Sequence, residues 1–228
     1  MPQSSRSKRP APNSESTPPR ETVSLVHGLW MRGFALSALA RRLAHAGYAV
    51  ERFDYESLAH GAEAAARTLR QRIRASSGTV HVIGHSLGGL VALEAVRDAS
   101  GLPPGRVVCL GSPLRGSEAA RQLAHWGGLN VLLGRSTGLL CRGLDAWNGA
   151  RQVGVIAGRV PVGLGMILQG LREPHDGTVA VRETELAGID AHAVVPATHT
   201  GLAFSDEVAQ LAIRFLRAGA FAPASAAA

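Results

Sequence analysis

The feature that most constrains this chain is a series of short apolar runs separated by longer amphipathic stretches. Val23-Ser24-Leu25-Val26, Val80-His81-Val82-Ile83, Val107-Val108-Cys109-Leu110 and Val153-Gly154-Val155-Ile156-Ala157 are continuous or nearly so. They are too short for helices and lack the polar alternation of a strand with one wet face, so they read as strands buried on both faces. The third of these runs takes in Arg106, and residues 48–53 and 191–195 complete a set of about six. Between them lie helical patterns. Residues 35–46 carry Leu36, Leu39, Leu43 and Ala46 at helical spacing, closed by Gly47 in the position that favours a left-handed residue. Residues 60–75, 87–99 and 205–218 read as further helices. Alternation of this kind predicts an α/β fold with a mostly parallel sheet and helices on both faces. In such sheets reactive groups gather at the carboxyl ends of the strands.

The 228 residues suffice for one compact domain. Residues 1–21 are rich in Pro, Ser and charge and read as a disordered basic tail, residues 22–219 as the domain, and residues 220–228 as a flexible Ala-rich end. An insertion at about residues 117–150 interrupts the rhythm with Trp126, Leu129, Val131, Leu132, Leu133, Leu139, Leu140 and Trp147. Two compatible readings apply: a helical excursion packed on the body, or a lid whose apolar face lines a pocket. Aromatic residues are only 4%, so the core must be built from Leu, Val, Ala and Ile.

The net charge of +7 includes +3 from the first twenty residues, and no basic cluster is interleaved with aromatic residues, which argues against a nucleic-acid partner. Cys109 and Cys141 lie in separate apolar segments and read as free thiols. Neither a signal-peptide core nor an apolar stretch long enough to span a membrane is recognisable. The expectation is a cytoplasmic protein without a transmembrane segment, with peripheral membrane contact and oligomeric state left open.

The chemistry centres on Gly84-His85-Ser86-Leu87-Gly88, which follows an apolar strand and opens a small-residue helix. That setting turns a weak five-residue match into a nucleophile elbow. Gly84 and Gly88 relieve a crowded turn, Ser86 presents its hydroxyl, and the Leu87 N–H at the helix start faces the reacting oxygen. A second donor falls to the Leu29 N–H, after His27-Gly28 at the end of the first strand, with Gly28 letting the backbone approach and His27 supporting the loop.

A serine hydroxyl needs a base, and nine histidines are available. His81 sits inside a strand and His85 within the elbow; His45, His60 and His125 fall in exposed settings; His175 and His192 follow the fifth strand. His199, in the loop after the last strand, is the favoured base, with His192 second. A carboxylate must orient the base. Asp176 in Asp176-Gly177-Thr178-Val179 is favoured over Asp190, and gives the chain order Ser, Asp, His.

These segments, together with Leu25-Val26-His27-Gly28-Leu29, Gly111-Ser112-Pro113-Leu114-Arg115-Gly116-Ser117 and His199-Thr200, resemble the small bacterial lipases and esterases of the α/β-hydrolase superfamily and related lipase-like deacylases, over about residues 22–217. The resemblance implies a three-layer fold with a helical lid and a triad of Ser86, Asp176 and His199. It also implies Leu29 and Leu87 as oxyanion donors, no cofactor, no metal, and acyl transfer from a small-molecule or lipid ester to water. One departure is that so short a segment precedes the first strand that the two antiparallel edge strands common in the superfamily are missing. Thioesterase or acyltransferase activity would use the same residues, and a non-catalytic binding protein on this fold is the rival from another class.

Overall fold

The computed structural model describes residues 20–98, 100–125, 133–162 and 174–222. Six strands form one sheet in the order β2-β1-β3-β4-β5-β6, with every neighbouring pair parallel. The strands are β1 (Thr22–Val26), β2 (Ala49–Phe53), β3 (Val80–His85), β4 (Val107–Leu110), β5 (Val153–Gly158) and β6 (Ala191–Val195). The helices are α1 (Ser37–His45), α2 (Gly61–Ala75), α3 (Leu87–Val96), α4 (Glu118–His125), α5 (Thr137–Arg142), α6 (Val181–Thr184) and α7 (Asp206–Ala218).

The period of two along each strand sorts side chains between two cores. Val23, Leu25, Ile83, Val108, Leu110 and Ile156 face α1 and α7. Val26, Val82, Val107, Cys109 and Val155 face α2, α3 and the 133–147 segment. The result is the expected three-layer arrangement. Because β1 has β2 on one side and β3 on the other, the winding direction reverses at β1, and the crevice at a reversal point is where ligands bind in open α/β sheets. The carboxyl ends of β1 and β3 carry His27-Gly28 and Ser86.

Several element ends differ from the sequence reading by one to three residues, three of them for a clear local reason. The helix expected over 35–46 begins as a 3-10 turn, Gly33–Leu36, before α1; no side chain caps its start, and the Ser37 hydroxyl donates to the Phe34 carbonyl at 2.6 Å. α3 stops at Val96 rather than residue 99 because Asp98 accepts from the Ser100 N–H, a local bond that competes with the helix. β3 runs two residues past Ile83, held by pairing of Gly84 and His85 with β4. Phe221, placed by the sequence in the flexible end, is buried against Phe215 at a ring separation of 5.2 Å.

Where it is described, the insertion packs on the body. Leu133, Leu139, Leu140, Leu144 and Trp147 are buried in the core, and the Trp147 indole N–H donates to the Arg151 carbonyl at 2.9 Å. Trp126, Leu129, Val131 and Leu132, together with residues 1–19, Ala99 and 223–228, lie outside the described residues. Among the described residues no helix is long and apolar enough to cross a membrane. Both cysteines are free, Cys109 buried and Cys141 half-buried.

α7 closes one face. Ser205 caps it by accepting from the Val208 N–H, and Gly219 ends it in a left-handed conformation. Its Phe215 is fully buried over the sheet at Gly154, where a Cβ would stand 2.8 Å from the ring. Phe215→Ala should therefore cost about 3–5 kcal/mol in urea unfolding. A loss below about 1 kcal/mol would mean that α7 does not seal this face.

Candidate active site

Ser86 occupies the turn from β3 into α3 with φ 55° and ψ −124°, a region that costs a non-glycine residue about 1–3 kcal/mol. Crowding leaves no alternative path. A Cβ on Gly84 would stand 2.3 Å from the Gly88 carbonyl, and one on Gly88 2.2 Å from the Val26 carbonyl. The Ser86 N–H donates to the Leu110 carbonyl at 2.8 Å, which ties the turn to β4. Leu87 is the first residue of α3, so its N–H has no carbonyl one turn back and lies at the positive end of the helix dipole.

The loop after β1 passes directly over this turn: a Cβ on Gly28 would be 3.0 Å from Ser86 Cβ. Trp30 there has φ 59°, and the Met31 N–H reaches back to the Gly28 carbonyl at 3.4 Å, so residues 28–31 form a tight turn. Ser86 and Trp30 are the non-glycine residues with positive φ among those described. His27 is fully buried, with Nδ1 2.9 Å from the Gly28 carbonyl oxygen.

On the opposite side, His199 Nδ1 lies 2.7 Å from Asp176 Oδ2. The other Asp176 oxygen accepts the N–H groups of Thr178 at 2.9 Å and Val179 at 2.8 Å. The His199 N–H also donates to the Asp176 carbonyl at 2.7 Å. Asp176 is 1% exposed. Three hydrogen-bond donors thus replace the water that burial takes from this carboxylate. It can only accept, so the proton sits on Nδ1 and Nε2 is left with a lone pair. Gly111, at φ 52°, makes this possible: a Cβ there would be 2.9 Å from Asp176 Oδ2 and 3.2 Å from His199 Nδ1.

His85 packs beneath His199, ring centroids 4.8 Å apart, and its Nε2–H donates to the His199 carbonyl at 2.8 Å. Burial, followed by the neighbouring His199, pushes its pKa down to about 4.

Ser86, His85 and His199 border one cavity of about 400 Å³. Leu29 and Trp30 form one wall, and Ala120 and Leu123 of α4 with Leu133 and Leu140 form another. No Asp, Glu, Lys or Arg lines it among the described residues. Ser86 and His199 share the cavity without a direct hydrogen bond between them among the described residues.

The runner-up residues lie elsewhere. The His192 ring is 2.8 Å from Thr184 Oγ1. Asp190 accepts from the Val153 N–H at 2.8 Å, at the amino end of β5 and so at the far edge of the sheet. His81 bridges Glu21 and the Arg106 N–H, His175 accepts from the Gly177 N–H, and His45, His60 and His125 are exposed. Among the described residues no three His, Cys, Asp or Glu side chains form a group that could hold a metal.

Three contributors escaped the sequence reading. Asp54 and Tyr55, just past β2, contact His27; their one signal was position at a strand's carboxyl end. Glu183 looks like a surface residue of α6 yet is buried, with one oxygen accepting the Glu118 N–H at 2.6 Å and the other the Ala180 N–H at 3.0 Å. Burial pushes its pKa up.

A model described as the alpha/beta hydrolase family matches residues 25–223. Comparison with curated proteins finds no match. Among solved structures, the Bacillus licheniformis lipase BlEst2 in its propeptide form superposes with a TM-score of 0.75 over 92% of this chain at 19% identity. The chain spans 53% of that protein's length. The mature form of BlEst2 gives 0.68 at 20% identity, over 85% of this chain and 90% of that one. The pyrethroid hydrolase PytH gives 0.61 at 16% identity, over 88% and 99%. At such identities the likeness speaks to the fold alone.

His85 yields a pH prediction. In the unfolded chain its imidazole takes up a proton near pH 6.5, whereas in the folded protein it stays neutral to about 4. The unfolded state therefore binds more protons between those values, and stability from this group is full above pH 6.5 and lost as pH falls toward 4. The window corresponds to about 3 kcal/mol. Urea unfolding of wild type and His85→Gln at pH 7 and pH 4.5 should show a steeper acid loss in the wild type; equal losses would contradict this.

Proposed function

The chain belongs to the alpha/beta hydrolase family, and on that premise we propose that it cleaves carboxylic esters with an apolar acyl group through an acyl-enzyme on Ser86. Membership places it among hydrolases; the bond, the substrate and the residue roles are our reading. The observation that carries it is the Asp176–His199 pair, held at 2.7 Å on the rim of the cavity that Ser86 borders.

In this reading His199 Nε2 accepts the Ser86 proton as Oγ attacks the ester carbonyl. Asp176 keeps the Nδ1 proton in place and stabilises the imidazolium that forms. The tetrahedral oxyanion is held by the N–H groups of Leu29 and Leu87, each worth about 10²–10³ in rate. Collapse breaks the bond to the alkoxy group, which leaves as alcohol with the proton from His199. Water, deprotonated by the same nitrogen, then attacks the acyl-Ser86 ester, and release of the acid restores the serine. No cofactor enters these steps. His27 and Gly28 shape one side of the site, and Gly84, His85 and Gly88 the other.

An apolar, uncharged acyl group is supported by the cavity walls. Desolvating a carboxylate or ammonium there would leave it without a partner of opposite charge. BlEst2 is described as a lipase and PytH as a pyrethroid hydrolase; a neutral, apolar ester is the class we assign to this chain.

A fluorophosphonate probe should label the wild type and fail on Ser86→Ala; labelling that survives the substitution would remove Ser86 as nucleophile. Asp176→Asn should lower kcat on p-nitrophenyl butyrate by about 10⁴. A loss below tenfold would remove Asp176 from the triad. A series of p-nitrophenyl esters of increasing chain length, set beside a triacylglycerol emulsion, measures how much acyl chain the cavity accepts.

A further inference from the structure

The loop carrying Leu29 is built from residues with little intrinsic order. Residues 27–33 contain two glycines, a left-handed tryptophan and an exposed arginine. Between its bend and the 3-10 turn at Gly33 the loop has one internal backbone bond, Met31 N–H to Gly28 carbonyl at 3.4 Å. An oxyanion donor has to be fixed before the charge develops, because an error of about 1 Å costs about 10²-fold in rate. Something outside the loop must hold it.

Two adjacent residues at the carboxyl end of β2 reach both of its ends. Asp54 Oδ1 lies 3.0 Å from His27 Nε2 and accepts the Gly33 N–H at 3.1 Å. Tyr55 stacks on the His27 ring at 4.5 Å with an interplanar angle of 15°. Its O–H donates to the His27 carbonyl at 3.0 Å, and its N–H points at His27 Nε2 at 3.3 Å. Burial pushes the Tyr55 phenol up, so it remains a donor. His27 relays these restraints to the bend, since its Nδ1–H donates to the Gly28 carbonyl at 2.9 Å. Arg32, 3.7 Å from the other Asp54 oxygen, is exposed and adds little.

We propose that Asp54 and Tyr55 are positioning residues of the acyl-transfer reaction, clamping the His27–Gly33 loop so that the Leu29 N–H faces the oxyanion. This rests on the reading of Leu29 as an oxyanion donor. Neither side chain touches the substrate; Tyr55 acts through His27, and Asp54 through His27 and Gly33. Leu29 is aimed by a clamp on the β2 side of the sheet, and Leu87 by the elbow on the β3 side.

The test uses Asp54→Ala and Tyr55→Phe, the second of which keeps the ring stack and loses only the O–H donor. An oxyanion donor works in the transition state, so kcat on p-nitrophenyl butyrate should fall about tenfold or more in Asp54→Ala with KM within about twofold. Affinity for a trifluoromethyl ketone should fall in step with kcat. Tyr55→Phe should move both in the same direction by a smaller factor. Hydrogen exchange should accelerate in peptides covering residues 28–33 while those covering α3 keep their protection. The proposal is overturned by kcat within twofold of wild type, by unchanged exchange over residues 28–33, or by an equal loss of protection in α3, which would mark general destabilisation. If the wild type neither hydrolyses the ester nor takes up the fluorophosphonate, the esterase reading fails, and the exchange experiment alone decides the clamp.

Discussion

A backbone carbonyl of β1 lies where a side chain on Gly88 would have to begin, 2.2 Å from the position of its Cβ. Everything at the site follows from how closely α3 is pressed onto the sheet there. The helix leaves β3 with no slack, so Ser86 is forced into positive φ, and its hydroxyl stands clear of the turn instead of folding back on its own backbone. The cost of that conformation, about 1–3 kcal/mol, is offset by a helix whose every core-facing residue is buried. Close packing of this sort is stiff, and stiffness is what a donor aimed at a transient charge requires.

The second half of the site solves a different problem, the burial of charge. Asp176 would be expensive to bury alone. Two backbone N–H groups and an imidazole N–H reach it, so the carboxylate is solvated by fixed dipoles before any substrate arrives. The position of His199 is in turn overdetermined. Its N–H is held by Asp176, its carbonyl by His85, and its ring by the Asp176 side chain.

Some of this was legible in the residues and some was not, for reasons of range. Strands buried on both faces announce themselves by continuous apolar runs, and the elbow by glycines in a strand-turn-helix context. Asp176 could be favoured over Asp190 by its place in the loop after the fifth strand, since chain order fits both. The structure adds that Asp190 sits at the wrong end of the strands, a fact of topology invisible to spacing. Asp54, Tyr55 and Glu183 were not found because each acts on a segment far off in sequence. A carboxylate that caps another element looks the same as one that solvates a surface. Helix ends shifted by two or three residues where a short polar side chain, such as Asp98, bonded locally. Such competition is settled by fractions of a kcal/mol that no periodic pattern records.

Glu183 has a consequence for how the molecule could be rebuilt. Its carboxylate joins the first turn of α4 to the segment that follows Asp176, and its carbonyl accepts the Arg115 N–H at 2.9 Å. The insertion is therefore not a cassette. A chimera that exchanges residues 117–150 for a foreign cover would displace an amide that a buried acid depends on and unsettle the neighbouring segment after Asp176. A graft joined after the start of α4, leaving Ser117 and Glu118 native, would spare that bond. The seam between scaffold and cover runs inside a helix, and not at the loop where an eye guided by domain boundaries would cut.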